Sequence, residues 1–503
     1  MDINKAKQQI KNAVTAYLEK DELTGEYMIP VERQRPIFLV GPPGIGKTAI
    51  MEQIAGEMGL GLLSYSMTHH TRQSALGLPF IVHKKYGDAE FDVSEYTMSD
   101  IIASIYEMQE KSGLKNGILF LDEINCVSET LSPVMLQFLQ YKVFGKHRVP
   151  DGWVVVTAGN PPQYNNSVHE FDVVTLDRLK KIEVEPDFDV WKKYAYQIGV
   201  HPSVMTYLEI KKKNFYKVES TVEGKRFVTA RSWDDLSRMI IVYEKKGMTV
   251  DRDLIEQYLQ DRDIAKDFSS YYELFNKYKT DYQIDAILEG NAPESIEARA
   301  KRAPFDEKLA VVGLLLNAVF DEVKDIMNTQ DMLKRLIPVL KRLRGVLSAE
   351  STADAAEEIQ KEIDSIRQTL LEAKKTSSMP REEIYLQNRL INFLENEIHI
   401  IENADSGFDL NDMIAHNFNE SVDILKKDVS VAHEHIANIF HYLDKVYPDG
   451  QETVIFVTEL TANRYTSRFI STYGCDEYFA HNKELLFYDR QQEIAEQIED
   501  LEL

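Results

Sequence analysis

Cysteine is nearly absent: 503 residues contain two, Cys126 and Cys475. Two thiols so far apart in sequence make no disulfide framework, and a reducing compartment is the expectation. Long apolar runs are missing as well. The longest, Leu309–Phe320, is interrupted by Gly313 and Asn317 and falls short of the roughly 18 residues of a membrane span. The N-terminal stretch MDINKAKQQIKNAV has no apolar signal-peptide region, so a cytoplasmic protein with no membrane association is expected. Basic residues are in deficit, 58 Lys and Arg against 82 Asp and Glu, for a net charge of −24. That balance disfavours a nucleic-acid partner, which requires a basic surface, although a local basic patch is not excluded. Apolar content is ordinary, so the chain can bury a large core, divided among about three domains by the length prior.

What is present is concentrated in Ile37–Met51, IFLVGPPGIGKTAIM. Ile37 to Val40 read as a buried strand, and Ile50, Ile54 and Met58 recur at the spacing of a helix face. Between them Gly41, Pro42, Pro43, Gly44, Ile45, Gly46, Lys47 and Thr48 satisfy G-x-x-x-x-G-K-[ST]. Glycines let the backbone curl until its N–H groups face an anion, and the helix N-terminus adds the positive end of its dipole. The chemistry expected is a phosphate cradle, with Lys47 reaching the β- and γ-phosphates and the Thr48 hydroxyl on Mg²⁺.

The order of elements around this loop points to a parallel sheet covered by helices. Strands are expected at Leu62–Ser66, Gly117–Leu121, Trp153–Thr157 and Ile182–Val184. Helices are expected at 3–17, Ser99–Met108 and Leu131–Leu139. Phe80–Val93 alternates about Tyr86-Gly87-Asp88 and reads as a hairpin; Val143–Pro150 reads as a shorter one around Gly145. From about Asp187 the pattern turns helical: Asp189–Ile198, Pro202–Lys211, Ser232–Glu244 and Asp253–Tyr278, with a hairpin at Phe215–Phe227 turning at Glu223-Gly224. Breakers at Gly290, Pro293 and Pro304 mark a boundary. Further on, Ala356, Ile359, Ile363, Ile366 and Leu370, and then Ile391, Leu394, Ile398 and Ile401, recur three and four apart on either side of Ser377-Ser378-Met379-Pro380. These runs read as a helical hairpin or as plain helical core. The domain expectation is a 1–30 N-terminal helix, a 31–186 P-loop core, a 187–278 helical lid and a 279–503 helical C-terminal domain.

Asp122 and Glu123 close the third strand. One carboxylate there can hold Mg²⁺, and the second can orient or deprotonate an attacking water. Asn160 ends the next strand, where a neutral amide can position that water, although Asn-Pro-Pro by itself is only a turn. Arg178 in TLDRLKK and Arg231 in VTARSWDDL can each give a bidentate contact to phosphate oxygens; in isolation either is an ordinary surface residue. His69-His70 have no Cys or acidic ligand at metal spacing and read as loop residues. Cys126 reads as a small packing residue beside the acids, and the aromatic-rich stretch Tyr465–Tyr488 as core.

GPPGIGKT, LFLDEIN, TAGNPP, LDR and TARSW, in this order, resemble the AAA+ ATPases of the MoxR family over roughly residues 28–245. The resemblance implies an α/β P-loop AAA+ core followed by an α-helical lid. It implies ATP and Mg²⁺ as ligands, Gly41–Thr48 as Walker A, and Asp122 and Glu123 as Walker B with Glu123 the catalytic base. It further implies Asn160 as sensor 1, Arg178 as an arginine finger acting on a neighbouring subunit, and Arg231 as sensor 2. The two hairpins resemble inserts that face a central pore. The implied assembly is a homo-oligomeric ring, hexameric, remodelling a protein client as a chaperone together with a von Willebrand A domain protein. Cys126 departs from the family, which often carries arginine there. The segment from about 278 to 503 is larger than the usual lid and lies outside the resemblance. Rival readings are a nucleic-acid translocase or restriction-type GTPase on the same fold, and a nucleotide-dependent scaffold with little turnover.

Overall fold

The computed structural model describes all residues except 165–167, 222–223, 348–351, 377–378, 403–409, 449 and 484–503. It separates into two compact units, Met1–Val190 with Asp364–Tyr385, and Trp191–Ile363 with Leu386–Leu503.

The first unit is built on five parallel strands, β1 (Ile37–Val40), β2 (Gly61–Ser66), β3 (Gly117–Asp122), β4 (Trp153–Gly159) and β5 (Lys180–Glu183), in the order β2-β3-β4-β1-β5. β5 lies two residues earlier than the apolar signal Ile182–Val184 suggested. Its Lys180 and Lys181 pair with Ile37 and Phe38 although their side chains are polar, as an edge strand permits. The three inner strands are buried on both faces, as parallel sheets require. Phe38, Leu119, Leu121 and Val155 point into a core with Ile101, Ile102 and Ile105 of α3 (Asp100–Ser112) and Met135, Phe138 and Leu139 of α4 (Ser132–Tyr141). The alternate residues, such as Ile118 and Phe120, are buried toward the other side, where α2 (Lys47–Met58) packs with α1 (Ile3–Leu18) against it. Gly117 is required by packing: a Cβ there would stand 2.7 Å from the buried Trp153 ring.

Two hairpins leave this core. Pro79–Tyr86 pairs antiparallel with Ala89–Tyr96 in a register that puts Phe80, Val82, Tyr86, Phe91 and Val93 on one face. Phe80, Tyr86 and Phe91 are exposed. Val143–Phe144 pairs with His147–Arg148. Glu95 of the first hairpin binds Lys84 and also Lys146 of the second (2.6 Å to the latter). These two ammonium groups, Lys146 foremost, hold the Glu95 carboxyl down at about 2.

Among the described residues the second unit is helical apart from the hairpin Lys217–Thr221/Gly224–Val228; Glu223, expected in its turn, lies outside them. The expected single helix Asp253–Tyr278 is in fact two, Arg252–Tyr258 and Arg262–Asp281. The reason is Asp261: fully buried, it caps the second helix by accepting from the Asp263 and Ile264 N–H groups and also pairs with Lys217 at 2.9 Å. An apolar period alone does not register such a cap. Beyond it run Ile284–Leu288, Glu294–Arg302 and the 43-residue helix Phe305–Leu347, which packs with Leu410–Val446 and Arg464–Tyr473. Thr352–Thr376 and Arg381–Glu402 are two helices joined through residues 377–380. Of the aromatic stretch, Tyr465 and Phe469 are buried; its end, with Tyr488, lies outside the described residues.

Glu397 gives this unit a pH dependence. It is 2% exposed, and its carboxyl accepts from Asn417 Nδ2 at 3.0 and 3.3 Å. Burial raises its pKa above the ordinary glutamate value, the Asn417 hydrogen bond opposing. A carboxyl raised in the folded state favours folding most below its unfolded pKa and loses that contribution as pH rises through the folded pKa. Glu397→Gln keeps an acceptor for Asn417 and removes the buried charge. Thermal melts should show it unfolding a few degrees above wild type at neutral pH, with the advantage shrinking toward about pH 4.

Candidate active site

The strand order places the C-terminal ends of β1, β3 and β4 side by side, and register pairs Val40 with Gly159 and Ser66 with Asp122. Every group discussed next leaves the sheet at this edge, where open α/β sheets bind ligands. The loop from Gly41 to Gly46 joins β1 to α2, and Gly46 has φ +93°, a left-handed conformation that suits glycine. A Cβ on Gly41 would stand 2.8 Å from the Val184 carbonyl oxygen. The loop therefore has no room for a side chain at its start.

Lys47 opens α2 and is buried, 8% exposed. Its Nζ donates to the Gly41 and Pro42 carbonyls at 2.7 and 2.9 Å and to Asn160 Oδ1 at 2.8 Å. Thr48 donates its hydroxyl to Asp122 Oδ2 at 3.0 Å, while Asp122 Oδ1 accepts from the Glu123 N–H at 2.8 Å. Glu123 sits at φ 58°, unusual for a residue with a side chain. This turns it off the strand axis, and its Oε2 accepts from Ser66 Oγ at 2.8 Å and Thr68 Oγ1 at 2.9 Å. Asn160 is itself steered, since Asn125 Nδ2 donates to its carbonyl at 2.8 Å. The donor set fits a nucleotide phosphate with a hard divalent cation: an ammonium group inside a glycine loop, and a hydroxyl oxygen 3.0 Å from a carboxylate oxygen.

Residues 37–167 match the family model described as ATPase family associated with various cellular activities (AAA). The chain carries an AAA domain. Everything C-terminal to residue 167 lies outside the matched span. A crystal structure of a candidate ATPase from Cytophaga hutchinsonii ATCC 33406 is also similar, at 12% identity over 39% of this chain and 50% of that one, with a TM-score of 0.25. Likeness at that level adds nothing to the fold described above, and it spans only half of that protein's length. No curated protein matches.

The structure thus pairs Lys47 with Asn160 and Thr48 with Asp122 within the AAA domain, with Glu123 next to Asp122. Arg178 is exposed just before β5, and its Nη1 donates to Gln140 Oε1 at 2.6 Å. Arg231 is an exposed residue in the first turn of Ala230–Lys245, behind a Thr229/Ser232 capping box, and belongs to the second unit. Three residues were not singled out from sequence: Ser66 and Thr68, which hold Glu123, and Asn125, which holds Asn160. Only Ser66 carried a signal, a hydroxyl at the end of an expected strand. His70 packs on Tyr65 with ring centroids 5.4 Å apart, and burial lowers its pKa. Among the described residues no group of three or more His, Cys, Asp or Glu side chains could hold a metal, and no helix is long and apolar enough to cross a membrane.

Proposed function

We propose that this protein is an ATP-hydrolysing motor of the MoxR type, acting as a ring, hexameric, on protein clients. The observation that carries the reading is the pair of hydrogen bonds at the sheet edge, Lys47 with Asn160 and Thr48 with Asp122, with Glu123 next in line. Lys47 and the N–H groups that the Gly41–Thr48 loop carries outside Pro42 and Pro43 neutralise the phosphates. Thr48 and Asp122 would hold Mg²⁺, which would supply charge neutralisation to the phosphates. Glu123 takes the proton of the attacking water once it leaves the Ser66 and Thr68 hydroxyls, and Asn160 orients that water. Arg178 enters the neighbouring subunit's site as its finger, which its exposure supports, and Arg231 acts from the lid. In this reading 31–186 is the motor core, 187–278 the lid and 279–503 a helical domain that meets client or partner. The exposed hairpin face with Phe80, Tyr86 and Phe91 turns to the pore, and a von Willebrand A domain protein delivers the client. The net charge of −24 argues for protein over nucleic acid as the substrate of the motion, in the cytoplasm.

Lys47→Ala tests the first step. It removes the one cation inside the loop, and ATP binding should fall below detection in a direct titration. Unchanged affinity would refute the phosphate assignment. ATP and GTP turnover, with and without DNA, separates this reading from a translocase or a GTPase.

A further inference from the structure

Helix α2 has a glycine in its interior, Gly56, where alanine would favour the helix. Two of its other faces have partners. Ile50 and Ile54 are buried, and Glu57 is held by Lys7 at 2.6 Å and Lys11 at 3.0 Å of α1. What lies against Gly56 comes from more than three hundred residues away. A Cβ built on Gly56 would stand 3.4 Å from Pro380 Cγ, 3.5 Å from its Cδ and 3.8 Å from its nitrogen. Pro380 leads into Arg381–Glu402, its carbonyl accepting from the Ile384 N–H at 3.1 Å. The whole segment Asp364–Tyr385 belongs to the same compact unit as Met1–Val190, whereas the remainder of both its helices belongs to the other.

We propose that Pro380, with the start of Arg381–Glu402, is a built-in arm that docks on the phosphate-loop helix at Gly56 and links the nucleotide site to the rest of Arg381–Glu402. The proposal rests on the nucleotide reading given above. Its physical basis is the stiffness of α2. Lys47 and Thr48 stand at one end of that helix, and Gly56 is nine residues further on, about 14 Å along the axis at 1.5 Å per residue. A phosphate that draws on Lys47 shifts the rod as a body, and Pro380 rides on it. Linkage then requires the converse, that holding or lifting the arm changes nucleotide affinity by the same factor.

A cysteine pair in the full chain, Gly56→Cys with Pro380→Cys, tests both parts. Oxidation should bridge 56 to 380 within one chain, identified by peptide mass against the native Cys126 and Cys475. The affinity for a slowly hydrolysed ATP analogue should differ by about fivefold or more between bridged and reduced protein and revert on reduction. Failure of the bridge to form in folded protein, or a bridge between two chains, overturns the docking. A bridge with unchanged affinity and turnover overturns the link. A second pair of variants guards against misfolding. Gly56→Ala should behave as wild type, because its Cβ meets Pro380 at ordinary contact distance, whereas Gly56→Gln should lift the arm and shift affinity; equal affinity in both overturns the proposal. Wild-type protein that binds no nucleotide would refute the nucleotide reading and the link with it, while the bridge would still decide the docking.

Discussion

Arg178→Ala subunits are expected to bind ATP with near-normal affinity and to hydrolyse it on the order of 10³-fold more slowly, the contribution of an arginine finger supplied by a neighbour. Binding survives because the subunit's own Lys47, Thr48 and Asp122 are untouched, and those three are joined to one another or to Asn160 by hydrogen bonds that do not involve Arg178. The arginine is exposed, and the hydrogen bond described for it goes to Gln140. Gln140→Ala should therefore have a much smaller effect than removal of the arginine itself. Mixing decides whether Arg178 acts between subunits. Lys47→Ala subunits have a finger and no working loop, and Arg178→Ala subunits have the reverse. Co-assembled rings of the two should recover turnover, because some interfaces reunite a good loop with a good finger. A finger acting on its own subunit could rescue nothing. Arg178→Ala protein with full activity alone would end the assignment and move attention to Arg231 or Arg148.

Glu123→Gln should lower turnover by roughly 10² to 10⁴, the usual contribution of a general base, with ATP binding retained. Glutamine fills the same space and can accept the same hydrogen bonds from Ser66 and Thr68, so the loss reports proton transfer and not a disturbed loop. The ATP-bound ring should then be trapped. The paired experiment is Ser66→Ala with Thr68→Val, which removes both hydroxyls and leaves the carboxylate in place. If those hydroxyls hold Glu123 back, basal ATP turnover should rise in the double variant; if they aim it, turnover should fall. Near wild-type rates for Glu123→Gln would place the base elsewhere.

The residues at the sheet edge were legible to very different degrees. Gly41–Thr48 and Asp122-Glu123 could be read directly because their signals are local. A strand, a glycine loop and a helix follow one another without interruption, and an apolar run ends in two acids. Asn125 and Thr68 could not be read, because their roles depend on which chain segment lies opposite. Asn125 matters only because its amide reaches the Asn160 carbonyl, 35 positions on. In the second unit the Asp253–Tyr278 period ran across a break, because the capping Asp261 is buried, and its carboxylate is paired there by Lys217, 44 positions earlier.

By itself the sequence determined the phosphate loop, the acids after the third strand, the change from α/β alternation to helices near Asp187, and an acidic chain without a membrane-spanning run. Tertiary structure alone decided the strand order β2-β3-β4-β1-β5, the pairing of Ser66 with Asp122 that brings a hydroxyl to Glu123, and the placing of Pro380 on Gly56. The division has one physical cause. Periodicity and turn chemistry act over a few neighbouring residues and are written in the chain, whereas sheet order and long-range contacts are selected by the joint burial of many segments, which no single segment encodes.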